Sequence, residues 1–174
     1  MLKKILITLA LVFGLLIIVG LFLSQHYDVS RTVTVRASKT KLHALCDDLT
    51  VWDSWAPWTK ADKTIVTKLG DKTHGVGASQ SWKGDSGEGR LVFTKSDPNE
   101  GIAYDMVFVN GGKEVPAKSA MLYKTNGDAV DVTWRIEGEM GMPVVGGYLA
   151  LFAGSMIGPM FDTGLNGLKA QAEK

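Results

Sequence analysis

From Met140 through Phe161 the chain carries no charged residue. Within the longer stretch Val144 to Ala172, the residues Leu149, Phe152, Met156, Met160, Leu165, Leu168 and Ala172 recur every three to five positions. That spacing places side chains on one face of a helix. A helix that is apolar nearly all round has to be buried, lie in a membrane, or face an apolar cavity. Upstream the chain is written mostly in strands, so the expectation is a sheet wrapped around a long C-terminal helix.

A second apolar run, at the other end, has a different character. Ile5 to Leu23 spans 19 residues, 15 of them Leu, Ile, Val or Phe. As a helix it would be about 28 Å long, close to the roughly 30 Å hydrocarbon core of a bilayer. At about −0.3 to −0.6 kcal/mol per side chain, insertion is favoured by roughly 5–9 kcal/mol as an upper bound. Lys3 and Lys4 would also suit a cleaved leader. The run is longer than a leader's usual core, however, and Leu21-Phe22-Leu23 offers no small-x-small cleavage site. The expectation is an uncleaved anchor over residues 1–25, followed by one domain over residues 26–174. Lys3 and Lys4 favour the cytoplasm for the N-terminus, while Arg31, Arg36, Lys39 and Lys41 weaken that count. The domain is therefore expected outside the cytoplasmic membrane, on the periplasmic side.

Between these runs the punctuation is that of hairpins. Val29 to Val35 alternates as a strand, and Ser38 stands as an N-cap before Leu42, Leu45, Cys46 and Leu49 at helical spacing. Trp52, Trp55 and Trp58 cluster around Pro57, which predicts a tight turn carrying three indoles. They could plug one end of a sheet or form the rim of an apolar site. Further strands are expected over residues 64–69, 78–83, 90–96, 102–109, 117–125 and 129–137. Asn126-Gly127 between the last two is a type I′ hairpin signal. Seven strands joined mostly by hairpins, with helices after the first strand and at the end, give an α+β fold built on a curved antiparallel sheet.

Alternation also assigns faces. Val130, Val132, Trp134 and Ile136 oppose Asp131, Thr133, Arg135 and Glu137, while Ile102, Tyr104, Met106 and Phe108 oppose Ala103, Asp105 and Val107. The apolar faces are expected to meet the C-terminal helix. Tyr104, Met106, Phe108 and Trp134, with Phe152 and Met156 of the helix, are then candidates to line either a solid core or a cavity. Trp55, Trp58 and Trp82 join them as possible walls of an apolar site. Asp105, Asp131, Arg135 and Glu137 fall on the opposite face as solvated charges.

Composition narrows the chemistry. A net charge of +1 provides no field for nucleic acid. One cysteine, Cys46, excludes an internal disulfide, and His26, His43 and His74 show no metal-ligand spacing, so no metal or other cofactor is expected. No Ser/His/Asp order points to a nucleophile. Hydroxyls of Tyr104, Tyr123 and Tyr148, and Gln80, could orient a ligand without reacting with it.

Several blocks together resemble a known family. They are Trp52-x-x-Trp55-x-Pro57-Trp58, Gly75-Val76-Gly77-Ala78, Trp82-x-Gly84, Gly87-Glu88-Gly89 and Met156-Ile157-Gly158-Pro159-x-Phe161-x-x-Gly164-Leu165-x-x-Leu168-Lys169. The chain resembles the polyketide cyclase/dehydrase and lipid-transport family of the START-like, helix-grip (SRPBCC) superfamily, in a bacterial subgroup with an N-terminal membrane helix. The resemblance implies a seven-stranded sheet gripping the C-terminal helix around a cavity for hydrophobic ligands. It does not imply an activity, because the superfamily holds both binders and enzymes. Three readings follow: a non-catalytic binder of a hydrophobic small molecule or lipid, a cyclase or aromatase, and a structural membrane protein with a filled core.

Overall fold

The computed structural model describes residues 1–174, the side chain of Asn110 excepted. An apolar helix, α1 (Leu2–Phe22), leads through Leu23-Ser24-Gln25 into β1 (His26–Val35). Next come α2 (Lys39–Cys46), a 3-10 turn over Leu49–Ser54 and a single helical turn, α3 (Trp58–Ala61). Six further strands follow, β2 (Val66–Leu69), β3 (Ser79–Gly84), β4 (Gly87–Asp97), β5 (Gly101–Asn110), β6 (Lys113–Asn126) and β7 (Ala129–Glu139), before α4 (Val145–Ala172) closes the chain. The strands form one seven-stranded antiparallel sheet in the order β1-β7-β6-β5-β4-β3-β2. This is the expected α+β helix-grip architecture, with the first strand brought back beside the last. The indole turn differs from expectation in one respect: Pro57 begins a helical turn as well as ending one, since proline's fixed φ suits a helix start.

α1 is long and apolar enough to cross a membrane and is almost wholly exposed. Nothing in the domain covers it beyond its last turns, where it meets the start of α4.

The core lies between the concave face of the sheet and the elements around it. Trp52 Nε1 donates to the Cys46 carbonyl and Trp55 Nε1 to the Leu45 carbonyl, both at 2.9 Å. Those carbonyls end α2 and have no helical partner, so the indoles satisfy them while filling the sheet's closed end. Trp55 meets Trp134 edge-on at 5.7 Å, and Phe161 of α4 stacks flat on Trp134 at 4.4 Å.

α4 packs chiefly over the sheet edge, along β1 and to a lesser extent β7. Its inward face is made of small residues, Ala153, Gly158 and Gly164, followed by Phe161, Leu165, Leu168 and Ala172. Small residues allow a helix to approach closely: a Cβ on Gly164 would stand 2.6 Å from the Trp134 ring. The large residues Leu151, Phe152 and Met156 point outward and are exposed. Phe152 and Met156 were expected between sheet and helix; they lie on the opposite side. Their period was legible, but a helix apolar on both faces gives no sign of which face is inward. The glycines decide it, through proximity.

Candidate functional site

The concave face divides into two halves along the strands. At the end carrying the β6–β7 hairpin, Trp52, Trp55, Phe93, Tyr104 and Trp134 interlock with ring separations between 5.5 and 5.8 Å. Trp134 Nε1 donates to the Tyr104 hydroxyl at 2.9 Å, and the Ser119 hydroxyl donates to the Arg135 carbonyl at 2.8 Å. Burial pushes the Tyr104 hydroxyl up to about 12, so it stays neutral and holds the indole in place. This half is packed solid. Of the sequence candidates, Trp55, Tyr104 and Trp134 belong to it.

The other half is open. Register pairs Trp82 with Gly89, Gly89 with Phe108, and Phe108 with Val115 across four strands. Gly89 carries no side chain, and a Cβ there would meet the Trp82 ring at 2.5 Å. The indole therefore lies over β4 and reaches Phe108, edge-on at 5.9 Å. Met106 is on the same face two residues earlier, and Met140 follows β7 at the same end. Trp82, Met106, Phe108 and Met140 are all partly exposed while packing against the core. Together they form a partly exposed apolar wall, and α4 runs closest to β1 and, to a lesser extent, β7. Trp58 is partly exposed on α3 and sits edge-on to Trp134 at 5.4 Å, at the boundary between the halves.

Charged side chains stay off this wall. Arg135 pairs with Asp28 and Glu137 on the convex face, and Asp105 is exposed there. Arg31 is on the concave side but is occupied, donating from Nη2 to the Gly154 carbonyl at 2.9 Å with Asp162 3.4 Å from its Nε. Tyr148 points away from the sheet and donates to the Leu16 carbonyl of α1. Gln80 is nearly buried on β3, on the same face as Trp82. A shallow hollow of about 410 Å³ lies on the convex side, with Arg90, Val92 and Asp105 among its lining residues. Its lining mixes the charges of Lys68, Arg90 and Asp105 with the apolar Leu69, Val92 and Val107.

One polar cluster was not legible in the sequence. A β-bulge at Thr94 shifts the register of β4 against β5 between Phe93 and Lys95. The bulge turns Ser96 inward where strict alternation would have placed Lys95. The Ser96 hydroxyl donates to Asp47 at 2.6 Å and lies 3.1 Å from His43 Nε2. Asp47 also accepts the Gly75 amide, tying the loop after β2 to α2. Ser96, Asp47 and His43 thus form one hydrogen-bonded group that joins β4, α2 and the loop after β2. Nearby, burial pushes the Cys46 thiol up to about 12, which makes it inert near neutral pH. Among the described residues no group of three or more His, Cys, Asp or Glu side chains gathers as a metal site would require.

Comparison with known proteins agrees with this fold. Residues 26–173 match the family described as "Polyketide cyclase / dehydrase and lipid transport". The fold is similar to that of protein CV1439 from Chromobacterium violaceum, at 14% identity with a TM-score of 0.59, covering 84% of this chain and 97% of that one. It is also similar to hypothetical protein jhp0584 from Helicobacter pylori, at 16% identity with a TM-score of 0.61, covering 83% and 87%. A third similar structure is the di-domain ARO/CYC StfQ from the steffimycin biosynthetic pathway, at 11% identity with a TM-score of 0.62, covering 85% and 51%. At these identities the likeness is one of fold. No curated protein sequence matches the chain.

Proposed function

Because the chain belongs to the polyketide cyclase/dehydrase and lipid-transport family, we propose that it is a membrane-anchored binder of a hydrophobic small molecule or lipid. The ligand rests on the wall of Trp82, Met106 and Phe108, with Met140 at its margin. α1 is the anchor, and the domain over residues 26–174 stands on the extracytoplasmic, periplasmic side. The observation that carries this reading is the contrast between the two halves of one concave face. One half is interlocked aromatic core, whereas the other leaves a tryptophan, a phenylalanine and a methionine partly open to solvent. Apolar side chains left open in a concavity with few polar groups are what an apolar ligand fills.

The wall holds no acid, base or nucleophile, so binding without turnover is the reading it supports. Native mass spectrometry of the full-length protein released from lipid nanodiscs tests it. Wild type should retain a single lipid or apolar adduct. Phe108→Glu sets a carboxylate against the wall and should lower adduct occupancy at least about tenfold, since an unpaired charge is strongly disfavoured in apolar surroundings. Leu122→Glu, on the exposed convex face, should leave the adduct in place. Equal adduct in wild type and Phe108→Glu would remove the wall from the site.

A further inference from the structure

The first two turns of α4 do not stand free of α1. The Tyr148 hydroxyl donates to the Leu16 carbonyl at 2.8 Å. A Cβ on Gly20 would collide with the Val144 carbonyl, and one on Gly147 with Leu23. Two bare Cα atoms, one on each helix, therefore allow close contact at the junction, as small residues do where apolar helices meet. Gln25 fixes the same junction from the strand side, its carbonyl accepting from the Met140 amide and its side chain from the Met142 amide. Leu16 lies six residues before the end of α1, about 9 Å down its axis. The start of α4 is thus held at the level of the last turns of an apolar helix long enough to cross a membrane.

The side of α4 facing away from the domain is apolar there. Val145, Leu151 and Phe152 are 52%, 68% and 62% exposed. The first charged residue along the helix is Asp162. An exposed apolar surface that continues a membrane-spanning helix has an obvious solvent.

Resting on the reading of α1 as a membrane anchor, we infer that the outward face of the first two turns of α4, Val145 to Phe152, is a bilayer-contacting surface. Tyr148 sits at the lipid interface, where tyrosine is favoured. This has a consequence for ligand traffic. Trp82, Phe108 and Val115 lie at the end of the sheet where β1 begins, because register runs from His26 opposite Glu139, through Gly138 opposite Ala117, to Val115 opposite Phe108. The open wall and the anchor share one end of the molecule. An amphiphile resident in the bilayer could therefore reach the wall without the domain leaving the membrane.

The test uses the full-length chain in nanodiscs, with an environment-sensitive nitrobenzoxadiazole label on Val145→Cys, Phe152→Cys or, as control, Asn126→Cys. Asn126 lies at the opposite end of β6 from the wall, and buried Cys46 is left unlabelled. Exchanging ordinary phosphatidylcholine for its dibrominated form should quench the labels at 145 and 152 severalfold more than the label at 126. Intact mass of the reconstituted protein reports whether α1 is retained. Retention of α1 with quenching at 152 no greater than at 126 would overturn the bilayer surface alone. Such a result together with efficient 152-to-152 cross-linking would assign the face to a second copy of this chain. A mature protein lacking α1 would overturn both the anchor and the surface.

Discussion

Replacing Trp134 by alanine is expected to lower stability by about 3–5 kcal/mol, the usual range for deleting a large aromatic from a packed core. Trp134 is 1% exposed. Phe161 stacks on it at 4.4 Å, and Trp55 and Trp58 meet it edge-on at 5.7 and 5.4 Å. The indole also supplies a donor that the buried Tyr104 hydroxyl accepts, so the variant loses a buried hydrogen bond as well as opening a cavity. Chemical denaturation in detergent micelles measures the loss. Ligand affinity of the molecules that remain folded should change less than about twofold, because Trp134 belongs to the solid half. A variant that kept its stability and lost ligand would move the site into the aromatic cluster.

Two glycines of α4 should respond to alanine with opposite signs. A Cβ on Gly167 would run into the Trp55 carbonyl oxygen, a backbone atom in a turn whose own indole is tied to α2. Overpacking of this kind costs about 1–3 kcal/mol, offset by up to about 1 kcal/mol from alanine's better helix propensity. A net loss of about 1–2 kcal/mol is expected for Gly167→Ala. Gly154 has nothing within 4 Å of its missing Cβ, so Gly154→Ala should gain roughly 0.5–1 kcal/mol. Thermal melting of the two variants beside wild type reads both signs at once. Stabilisation by Gly167→Ala would mean that α4 sits further from the indole turn than described.

Hairpin punctuation was enough to recover all seven strands, because each turn carries residues chosen for its own backbone. The hairpin expected at Asn126-Gly127 forms one residue later, since Asn126 ends β6 and pairs with Ala129. Of the central residues Gly127 and Asp128 only Gly127 has a positive φ, 61°, which suits a type II′ turn and not the expected type I′. Strand ends were less legible. β1 begins at His26, three residues before the expected start, since Tyr27 is buried on the same face as Val29 and pairing with β7 runs on to His26 opposite Glu139. Faces of the strands could be read, and those of α4 could not. A strand alternates between apolar and polar, whereas α4 is apolar on both sides and its inward face is set by which residues are small. The same ambiguity separated Phe152 and Met156 from the other candidate residues.

The two-part character of the concave face was also hidden. Tyr104, Met106 and Phe108 follow one another on β5 with the same period and similar size. Only their neighbours distinguish them: Tyr104 lies under Trp52, Phe93 and Trp134, while Phe108 has Trp82 across the bare Gly89. Such pairings depend on sheet register and on a bulge at Thr94, which no local pattern announces.

Methionine methyl resonances test the ligand wall most directly. The chain has seven methionines, and three of them stand at informative places. Met106 is on the open wall, Met140 at its margin, and Met121 is fully buried in the solid half. Titrating oleate into the full-length protein in micelles, carrying 13C-methyl methionine, should shift Met106 and Met140 in a saturable manner and leave Met121 in place. A saturable shift at Met121 without one at Met106, or no saturable shift at any methionine, would contradict binding at the wall.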